Sequence, residues 1–241
     1  MFLTIYIIIL TYFILGAVAF YFINRKKDPH TARENRKKYI TYFIIVHLLF
    51  LLIIFNPLGF KIISMGIILV GLSELINLFL QSRYANKLFF GFFLLLFLFF
   101  CTGFLLFASA DRDLIMFTFL LVSIFDAFSQ ISGQLLGKQK IFPAISPGKT
   151  VGGLIGGTLI AIASSLLLKD LIDVPMIKTL LLATGIIIFA FIGDMATSLY
   201  KRKYNVKDFG NLLPGHGGFL DRFDSLIAGG AFIALLELLG I

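Results

Sequence analysis

The segment that decides the fold runs from Ser198 to Ser225 and reads SLYKRKYNVKDFGNLLPGHGGFLDRFDS. It is the only long polar segment in the C-terminal half of the chain, and a strongly apolar run lies on each side of it. Apolar runs of about 20 residues are long enough to cross the roughly 30 Å hydrocarbon core of a bilayer. The segment is therefore interpreted as a charged loop between two membrane spans, with its polar side chains held at one membrane surface.

Composition places the whole chain among membrane proteins. Of its 241 residues, 59% are hydrophobic and 14% are charged, and the mean hydropathy is +0.99. A soluble domain carries about a quarter of charged residues. The apolar runs are continuous and do not alternate, which favours helices over a membrane β-barrel. The net charge of +8 lies mostly in loops, where it sets topology and meets anionic lipid, so we expect no nucleic-acid partner.

The apolar runs predict an all-α polytopic membrane protein with about eight transmembrane helices. Helices 1–4 fall within residues 1–110 and helices 5–8, which carry the polar residues of interest, within 111–241; together they form one membrane domain. The predicted spans are 2–23, 39–55, 61–80, 88–108, 114–132, 150–168, 176–198 and 219–240.

Positive charge in the loops predicts the orientation. Sixteen Lys and Arg residues follow the odd-numbered spans, whereas the other side holds only Lys61, Arg112, Lys169 and Lys178. Cytoplasmic loops are enriched in Lys and Arg, so we expect the odd loops inside and both termini outside. The interpretation is an integral protein of the cell's inner or plasma membrane, with a polar cavity open to the cytoplasm.

Polar side chains inside the spans mark a candidate site, because ionisable groups in a membrane interior are costly and usually functional. Four spans carry a polar stripe at helical spacing, and we expect these stripes to converge on one cavity. A plainer alternative is that they join helices by hydrogen bonds, and for Glu74 both interpretations stay open. The stripes are Glu74, Asn77 and Gln81; Asp126, Gln130 and Gln134; Asp194 and Ser198; and Asp221, Asp224 and Ser225.

Span 6 opens with Ser146-Pro147-Gly148-Lys149-Thr150. Ser146 is the expected N-cap, and Pro147 suits the first turn of a helix. Lys149 opposes the helix dipole there, a conflict that a bound phosphate would relieve. Two pairs of glycines at small-xxx-small spacing then predict close helix packing: Gly152 with Gly156, and Gly153 with Gly157.

The residues of the Ser198–Ser225 segment suit an enzyme that binds a phosphorylated lipid substrate together with a metal ion. Mg²⁺ prefers carboxylate oxygens together with phosphates and water, and Asp194, Asp221 and Asp224 are the natural ligands. The turn from Gly215 to Gly218 lets the backbone approach a nucleotide. His216 is interpreted as fixing that turn, with phosphate binding or a base role as alternatives. The cations available to hold phosphate oxygens are Lys201, Arg202, Lys207 and Arg222.

These residues, in this order, resemble the signature of the phosphatidate cytidylyltransferase family, also called CDP-diacylglycerol synthases. The resemblance covers roughly residues 120–241 and weakens towards Asp126 and 146–150. The chain departs from the family at 146–153, where Ser-Pro-Gly-Lys-Thr-Val-Gly-Gly stands for the usual Ser-Pro-Lys-Lys-Thr-Trp-Glu-Gly. The stretches that carry it are Ser198–Arg202, Lys207–Gly210, Pro214–Gly218 and Asp221–Asp224.

The resemblance implies transfer of a cytidylyl group from CTP to phosphatidic acid, giving CDP-diacylglycerol and pyrophosphate. It implies Mg²⁺ as cofactor, leaves room for a second, monovalent cation, and is compatible with a homodimer. The implied catalytic residues are Asp194, Asp221, Lys201 and Arg202, and the implied metal ligands are Asp194, Asp221 and Asp224. The implied substrate-binding residues are Asp126, Ser146, Lys149, Lys207, Asp208, Gly215, His216, Gly217, Gly218 and Arg222.

Two alternatives differ in chemistry. A related CTP-dependent enzyme would act on another lipid phosphate or on a polyprenol. An ion-coupled transporter would use Glu74, Asp126 and Asp194 within the membrane, but it should show an inverted repeat. The sequence has no internal repeat, which favours the enzyme.

Overall fold

The computed structural model describes residues 2–25, 27–210 and 217–240. Within these ranges the chain forms eight α-helices, a two-stranded hairpin and one 3₁₀ turn at Lys169–Leu171. The helices are α1 (Phe2–Asn24), α2 (Pro29–Phe55), α3 (Pro57–Gln81), α4 (Lys87–Phe107), α5 (Arg112–Leu136), α6 (Val151–Leu167), α7 (Met176–Lys203) and α8 (Leu220–Leu238). The hairpin strands are β1 (Lys140–Phe142) and β2 (Ser146–Thr150).

The predicted all-α polytopic architecture is confirmed, and each predicted span corresponds to one helix. Of the described helices, α1 to α5 and α7 are long and apolar enough to cross a membrane. The apolar α6 has 17 residues, a length of about 26 Å, slightly less than the bilayer core. α8 has 19 residues and begins with the charged turn that contains Asp221, Arg222 and Asp224.

The connection between α5 and α6 differs from the prediction. Residues 146–150 form β2, which pairs antiparallel with β1, and α6 begins at Val151. Ser146 is therefore not the helix cap; Thr150 is, since its hydroxyl accepts a hydrogen bond from Gly153 N at 3.1 Å. The reason is local, because a proline disfavours helical backbone in the residue before it and is tolerated in an edge strand. Pro147 thus keeps this segment extended.

α5 and α8 form the buried centre of the helix bundle. Each contributes twelve buried residues, whereas α1 contributes four. α4 packs along α8 at glycine positions: a Cβ on Gly103 would lie 2.8 Å from the Cβ of Ala231. One cluster of buried apolar side chains extends from Ile5 in α1 to Ala234 in α8. The charged start of α8 is thereby held against this rigid centre.

The predicted close packing of the span 6 glycines is confirmed at α5. A Cβ on Gly153 would lie 2.7 Å from the carbonyl oxygen of Ser129, and one on Gly157 would lie 2.9 Å from that of Phe125. Real Cβ atoms essentially never approach within 3.0 Å. The contacts are to backbone, which cannot move aside as a flexible side chain can. This packing places β2, which directly precedes α6, beside the C-terminal half of α5.

Replacing Gly157 by Ala is expected to destabilise the protein by about 1–3 kcal/mol, as overpacking of a tight contact does. Unfolding can be followed through Cys101, because this single cysteine is 3% exposed and reacts with a thiol dye only when the bundle opens. Gly91→Ala in α4 is the matched control, since a Cβ there would meet no described atom within 4 Å. Equal melting temperatures for the two variants would contradict the packing argument.

Candidate active site

A cavity of about 520 Å³ lies between α1, α2, α5, β2, α7 and the start of α8. This volume is typical of sites that bind a small molecule. The predicted polar stripes of spans 7 and 8 converge on it, as do Asp126 and Gln130 of span 5. The prediction was wrong for Gln134 and for the span 3 stripe of Glu74, Asn77 and Gln81, which the described cavity lining does not include. The predicted site residues that line it are Asp126, Ser146, Lys149, Asp194, Lys201, Arg202, Lys207, Asp208, Asp221, Arg222 and Asp224.

Asp221, in the first turn of α8, joins three parts of the site. One carboxylate oxygen forms an ion pair with the ammonium of Lys201, at the end of α7. The other accepts hydrogen bonds from Phe209 N at 3.0 Å and from Gly218 N at 2.9 Å. The side chains of Lys201 and Asp221 are 9% and 3% exposed. Asp221 thus fixes α7, the loop after it and the start of α8 relative to one another.

The glycine turn before α8 is described only from Gly217 onward; the predicted Gly215 and His216 lie outside the described residues. Gly217 has a left-handed backbone (φ +83°), and a Cβ there would lie 2.8 Å from the Cβ of Asp208. A Cβ on Gly218 would lie 2.6 Å from the Cβ of Phe209. The described cavity lining does not include either glycine. Glycine is needed at both positions because the backbone there lies too close to the preceding loop for a side chain. The predicted contact of these two glycines with substrate stays a prediction.

Of the two interpretations of Glu74, the structure favours the one in which its hydrogen bonds join helices. Glu74 lies in α3, is 4% exposed, and accepts hydrogen bonds from Phe219 N and Leu220 N, both at 2.7 Å. These are the unpaired N–H groups at the start of α8, where a negative charge is favourable. Glu74 therefore caps α8 from another helix. This engagement also weakens the transporter alternative, which needs Glu74 as a mobile ion ligand.

Asp194 and Lys149 form the second ion pair of the site. Asp194 lies on α7 with Ser198 one turn later, the Ser198 hydroxyl being 3.5 Å from its carboxylate. The Lys149 ammonium pairs with Asp194 and stands 4.9 Å from the ring centre of Phe191. Burial lowers the pKa of Lys149, and the nearby carboxylates of Asp126 and Asp224 act against that shift. Lys149 thus supplies positive charge that offsets the carboxylates of Asp194, Asp126 and Asp224.

The remaining acidic groups are held from neighbouring turns. Asp224, which is buried, accepts hydrogen bonds from the Thr197 hydroxyl and from Ser225 N, the latter at 2.8 Å. Asp126 accepts from the Ser225 hydroxyl at 3.4 Å. The Asp126–Ser225 bond therefore links α5 to α8, and the Thr197–Asp224 bond links α7 to α8.

Arg202 has a structural task that the sequence did not indicate. Its guanidinium donates to the carbonyl oxygen of Ile145 at 3.0 Å and to that of Val206 at 2.8 Å. These bonds attach the β1–β2 hairpin to the end of α7. Its predicted catalytic role stays a prediction beside this bracing one.

The carboxylates of the site fit Mg²⁺ by their chemistry. Asp126, Asp194 and Asp224 lie along the cavity, and oxygen donors are the ligands that this ion prefers. Within the described part of the chain, however, no three Asp, Glu, His or Cys side chains are grouped as a metal site. Lys149 and Lys201 supply the positive charge instead. A divalent cation at Asp194 or Asp221 would therefore exchange places with an ammonium group.

Sequence reasoning missed the contribution of α1 and α2. Lys38, which the sequence suggests only as part of a topology signal, lines the cavity. Tyr39 and Tyr42 line it too, and their hydroxyls donate to the carbonyl oxygens of Phe13 and Ser123, both at 2.7 Å. A basic loop that sets topology and one that reaches a site have the same composition, so no local signal distinguishes them.

Comparison with known proteins gives the family of the chain. The sequence model of the cytidylyltransferase family matches residues 82–239. A phosphatidate cytidylyltransferase of Staphylococcus epidermidis is 44% identical over 129 residues, which are 53% of this chain and 47% of the relative. Those of Staphylococcus saprophyticus and Staphylococcus aureus are 42% and 39% identical over 135 residues, 55% of this chain and 50% of each relative. The chain spans about half the length of the curated relatives it matches.

Breaking the Lys201–Asp221 pair is expected to cost about 3–5 kcal/mol, because Asp221→Asn leaves a buried ammonium without its counter-charge. The double variant Lys201→Met/Asp221→Asn removes both charges and should recover much of that stability. Thermal unfolding of the wild type, both single variants and the double variant gives the coupling between the two side chains. Additive effects of the two substitutions would show that the pair does not hold the site together.

Proposed function

Because the chain belongs to the cytidylyltransferase family, we propose that it transfers the cytidylyl group of CTP to phosphatidic acid. The products are CDP-diacylglycerol and pyrophosphate. The observation that carries the proposal is the two-sided cavity: α1 and α2 give it an apolar wall, while α5, β2, α7 and α8 give it a charged one. A lipid phosphate needs both walls, and a nucleotide needs the charged wall.

The charge of the cavity supports a metal-dependent reaction. Six basic and five acidic side chains line it, so its net charge is +1. A single phosphate monoester already carries about −1.5 to −2 near neutral pH, and CTP adds its triphosphate. The protein alone leaves most of this charge unbalanced, which favours a divalent cation. The lining groups are Lys38, Lys149, Lys201, Arg202, Lys207 and Arg222, with Asp126, Asp194, Asp208, Asp221 and Asp224.

We assign the metal to Asp194, Asp221 and Asp224, because all three carboxylates line the cavity. A bound Mg²⁺ would neutralise phosphate charge and favour departure of pyrophosphate. Lys149 and Lys201, released from their carboxylates, would then bind phosphate oxygens, while the second oxygen of Asp221 would keep its hydrogen bonds from Phe209 N and Gly218 N.

The bond changes are simple. An oxygen of the lipid phosphate forms a bond to the α-phosphorus of CTP, while the bond from that phosphorus to the oxygen bridging to the β-phosphate breaks. Pyrophosphate leaves with that oxygen and its electron pair. The lipid phosphate is largely ionised near pH 7, so the reaction needs no strong general base.

We place the cavity on the cytoplasmic side. Lys38, Lys149 and Lys207 come from the positively charged segments predicted after spans 1, 5 and 7, and all three line the same cavity. This agreement supports a common side for those segments, which the charge rule assigns to the cytoplasm.

CTP labelled separately at the α- and γ-phosphates tests the reaction with purified protein, phosphatidic acid and Mg²⁺. We expect α-label in the lipid and γ-label in released pyrophosphate. γ-Label in the lipid would instead mean a kinase, and no transfer from either position would overturn the proposal for this lipid.

Asp194→Asn should lower the α-label transfer at least a hundredfold, because it removes a charged ligand and leaves Lys149 without its partner. Asp170→Asn is the matched control, since Asp170 is exposed in the 3₁₀ turn at Lys169–Leu171 and is not among the described residues that line the cavity. Transfer by Asp194→Asn at the control rate would remove Asp194 from the catalytic set.

A further inference from the structure

We propose that α1 and the first half of α2 form the lipid subsite, in which Lys38 binds the phosphate of the lipid substrate. The apolar face of α1 beside Lys38 would hold the start of the acyl chains. The inference rests on the proposed function and names the part of the chain that selects the lipid. This part lies outside residues 82–239, which match the cytidylyltransferase family.

Lys38 lies where the apolar and charged walls meet. It belongs to α2, on the apolar side of the cavity, and it is half-buried. Its charge interacts with those of Arg222 and Lys207 across the cavity, and with the opposite charge of Asp208. Lys38, Lys207 and Arg222 line the same cavity, where their like charges repel one another and the carboxylates of Asp208 and Glu34 oppose that repulsion only in part. An anion bound among the three cations would lower the repulsion further. A lipid phosphate is the anion that belongs at this boundary, because its acyl chains need the apolar wall.

The apolar wall is rigid enough to act as a binding surface. Tyr39 is held by its hydrogen bond to Phe13, Tyr42 by its bond to Ser123, and Tyr12 by a 2.6 Å bond to the hydroxyl of Ser164. Three tyrosines on two helices are thus fixed before any ligand arrives. A surface that is already ordered loses less conformational entropy on binding.

One face of α1 lines the cavity and another is exposed on the outside of the helix bundle. The inner face of α1 lines the cavity with Tyr12, Phe13 and Gly16, while Ile14 on another face is 64% exposed. A cavity of about 520 Å³ is the size for a head group or nucleotide. Two long acyl chains therefore have to leave it, and the route along α1 keeps them in apolar surroundings.

Gly16 lies on the face of α1 that lines the proposed path of the acyl chains. A Cβ at Gly16 would meet only ordinary contacts, 3.7 Å from the Tyr39 ring and 4.0 Å from Ile131. A larger side chain at this position would project into the space between α1, α2 and α5. Gly16 is therefore the position at which the apolar wall can be narrowed with little strain on the backbone.

The first experiment measures binding of phosphatidic acid and of uncharged diacylglycerol to Lys38→Met and Lys37→Met in detergent, by native mass spectrometry. Lys37 is the matched control, because it pairs with Glu34 at 2.8 Å and its side chain is 46% exposed. Lys38→Met should bind phosphatidic acid about tenfold more weakly, with diacylglycerol binding unchanged. Lys37→Met should match the wild type for both lipids.

Kinetics of the same variants separate lipid from nucleotide. Lys38→Met should raise the KM for phosphatidic acid about tenfold and leave the KM for CTP unchanged, and Lys38→Arg should restore most of the lipid affinity. A raised KM for CTP alone would assign Lys38 to the nucleotide and overturn the proposal. Equal phosphatidic acid binding by the two Met variants would overturn it as well.

The second experiment narrows the apolar wall with Gly16→Leu. We expect its KM to rise severalfold for phosphatidic acid with long acyl chains and to stay near the wild-type value for chains of six carbons. Gly91→Leu in α4 is the control, since its Cβ would meet no described atom within 4 Å. An equal effect of Gly16→Leu on both chain lengths would overturn the assignment of α1 to the acyl chains.

Failure of the lipid subsite and failure of the proposed function give different results. If the reaction were wrong, the labelled CTP would transfer nothing to phosphatidic acid, yet the binding difference between Lys38→Met and Lys37→Met would persist. If the subsite were wrong, transfer would proceed and the two variants would bind the lipid alike.

Discussion

The carboxylate of Asp221 fixes the geometry on which the rest of the site depends. A charge buried at this depth is tolerated only when donors surround it, and Asp221 obtains three: the Lys201 ammonium and the N–H groups of Phe209 and Gly218. Each donor comes from a different piece of chain, namely the end of α7, the loop after it and the turn before α8. Satisfying one buried charge therefore brings the basic end of α7 against the acidic start of α8. Glu74 acts on the same turn from α3, since it accepts the N–H groups of Phe219 and Leu220.

The site is built as acid–base pairs, and this has a chemical consequence. Lys201 forms an ion pair with Asp221, and Lys149 forms one with Asp194. The ammonium groups, which suit phosphate, and the carboxylates, which suit a metal ion, therefore neutralise one another. In the proposed reaction, substrate and metal would therefore enter together at little electrostatic cost, because each would take one member of an existing pair. A cavity lined by free lysines would attract any anion, and one lined by free aspartates would attract any cation. Pairing favours a ligand that brings both signs of charge, such as a metal-bound nucleotide.

The sequence predicted the helices and the charged wall well, because both depend on local properties. Apolar runs of sufficient length must be helices in a bilayer, and carboxylates such as Asp126, Asp194 and Asp224 stand out within such runs. It failed where contacts join distant residues. Glu74 and Phe219 are 145 positions apart, and Arg202 reaches back to Ile145 across 57. The hairpin of β1 and β2 was missed because strands of three and five residues have no measurable periodicity. The position of Lys38 at the cavity was missed because the basic segment that contains it is already explained by the charge rule for topology.

The two walls of the cavity come from two parts of the chain with different constraints. The charged wall is formed by α5, β2, α7 and α8, within the residues that match the cytidylyltransferase family, and its pairs and caps leave few positions free to change. The apolar wall is formed largely by α1 and α2, where the contacts are rings and short hydrogen bonds to backbone oxygens. The acceptors of Tyr39 and Tyr42 are backbone oxygens, which are present whatever side chains stand at positions 13 and 123, so those side chains can change without loss of the two bonds. In the proposed function, a constant charged wall would perform the nucleotide chemistry, and sequence changes in the apolar wall would select lipids of different chain composition.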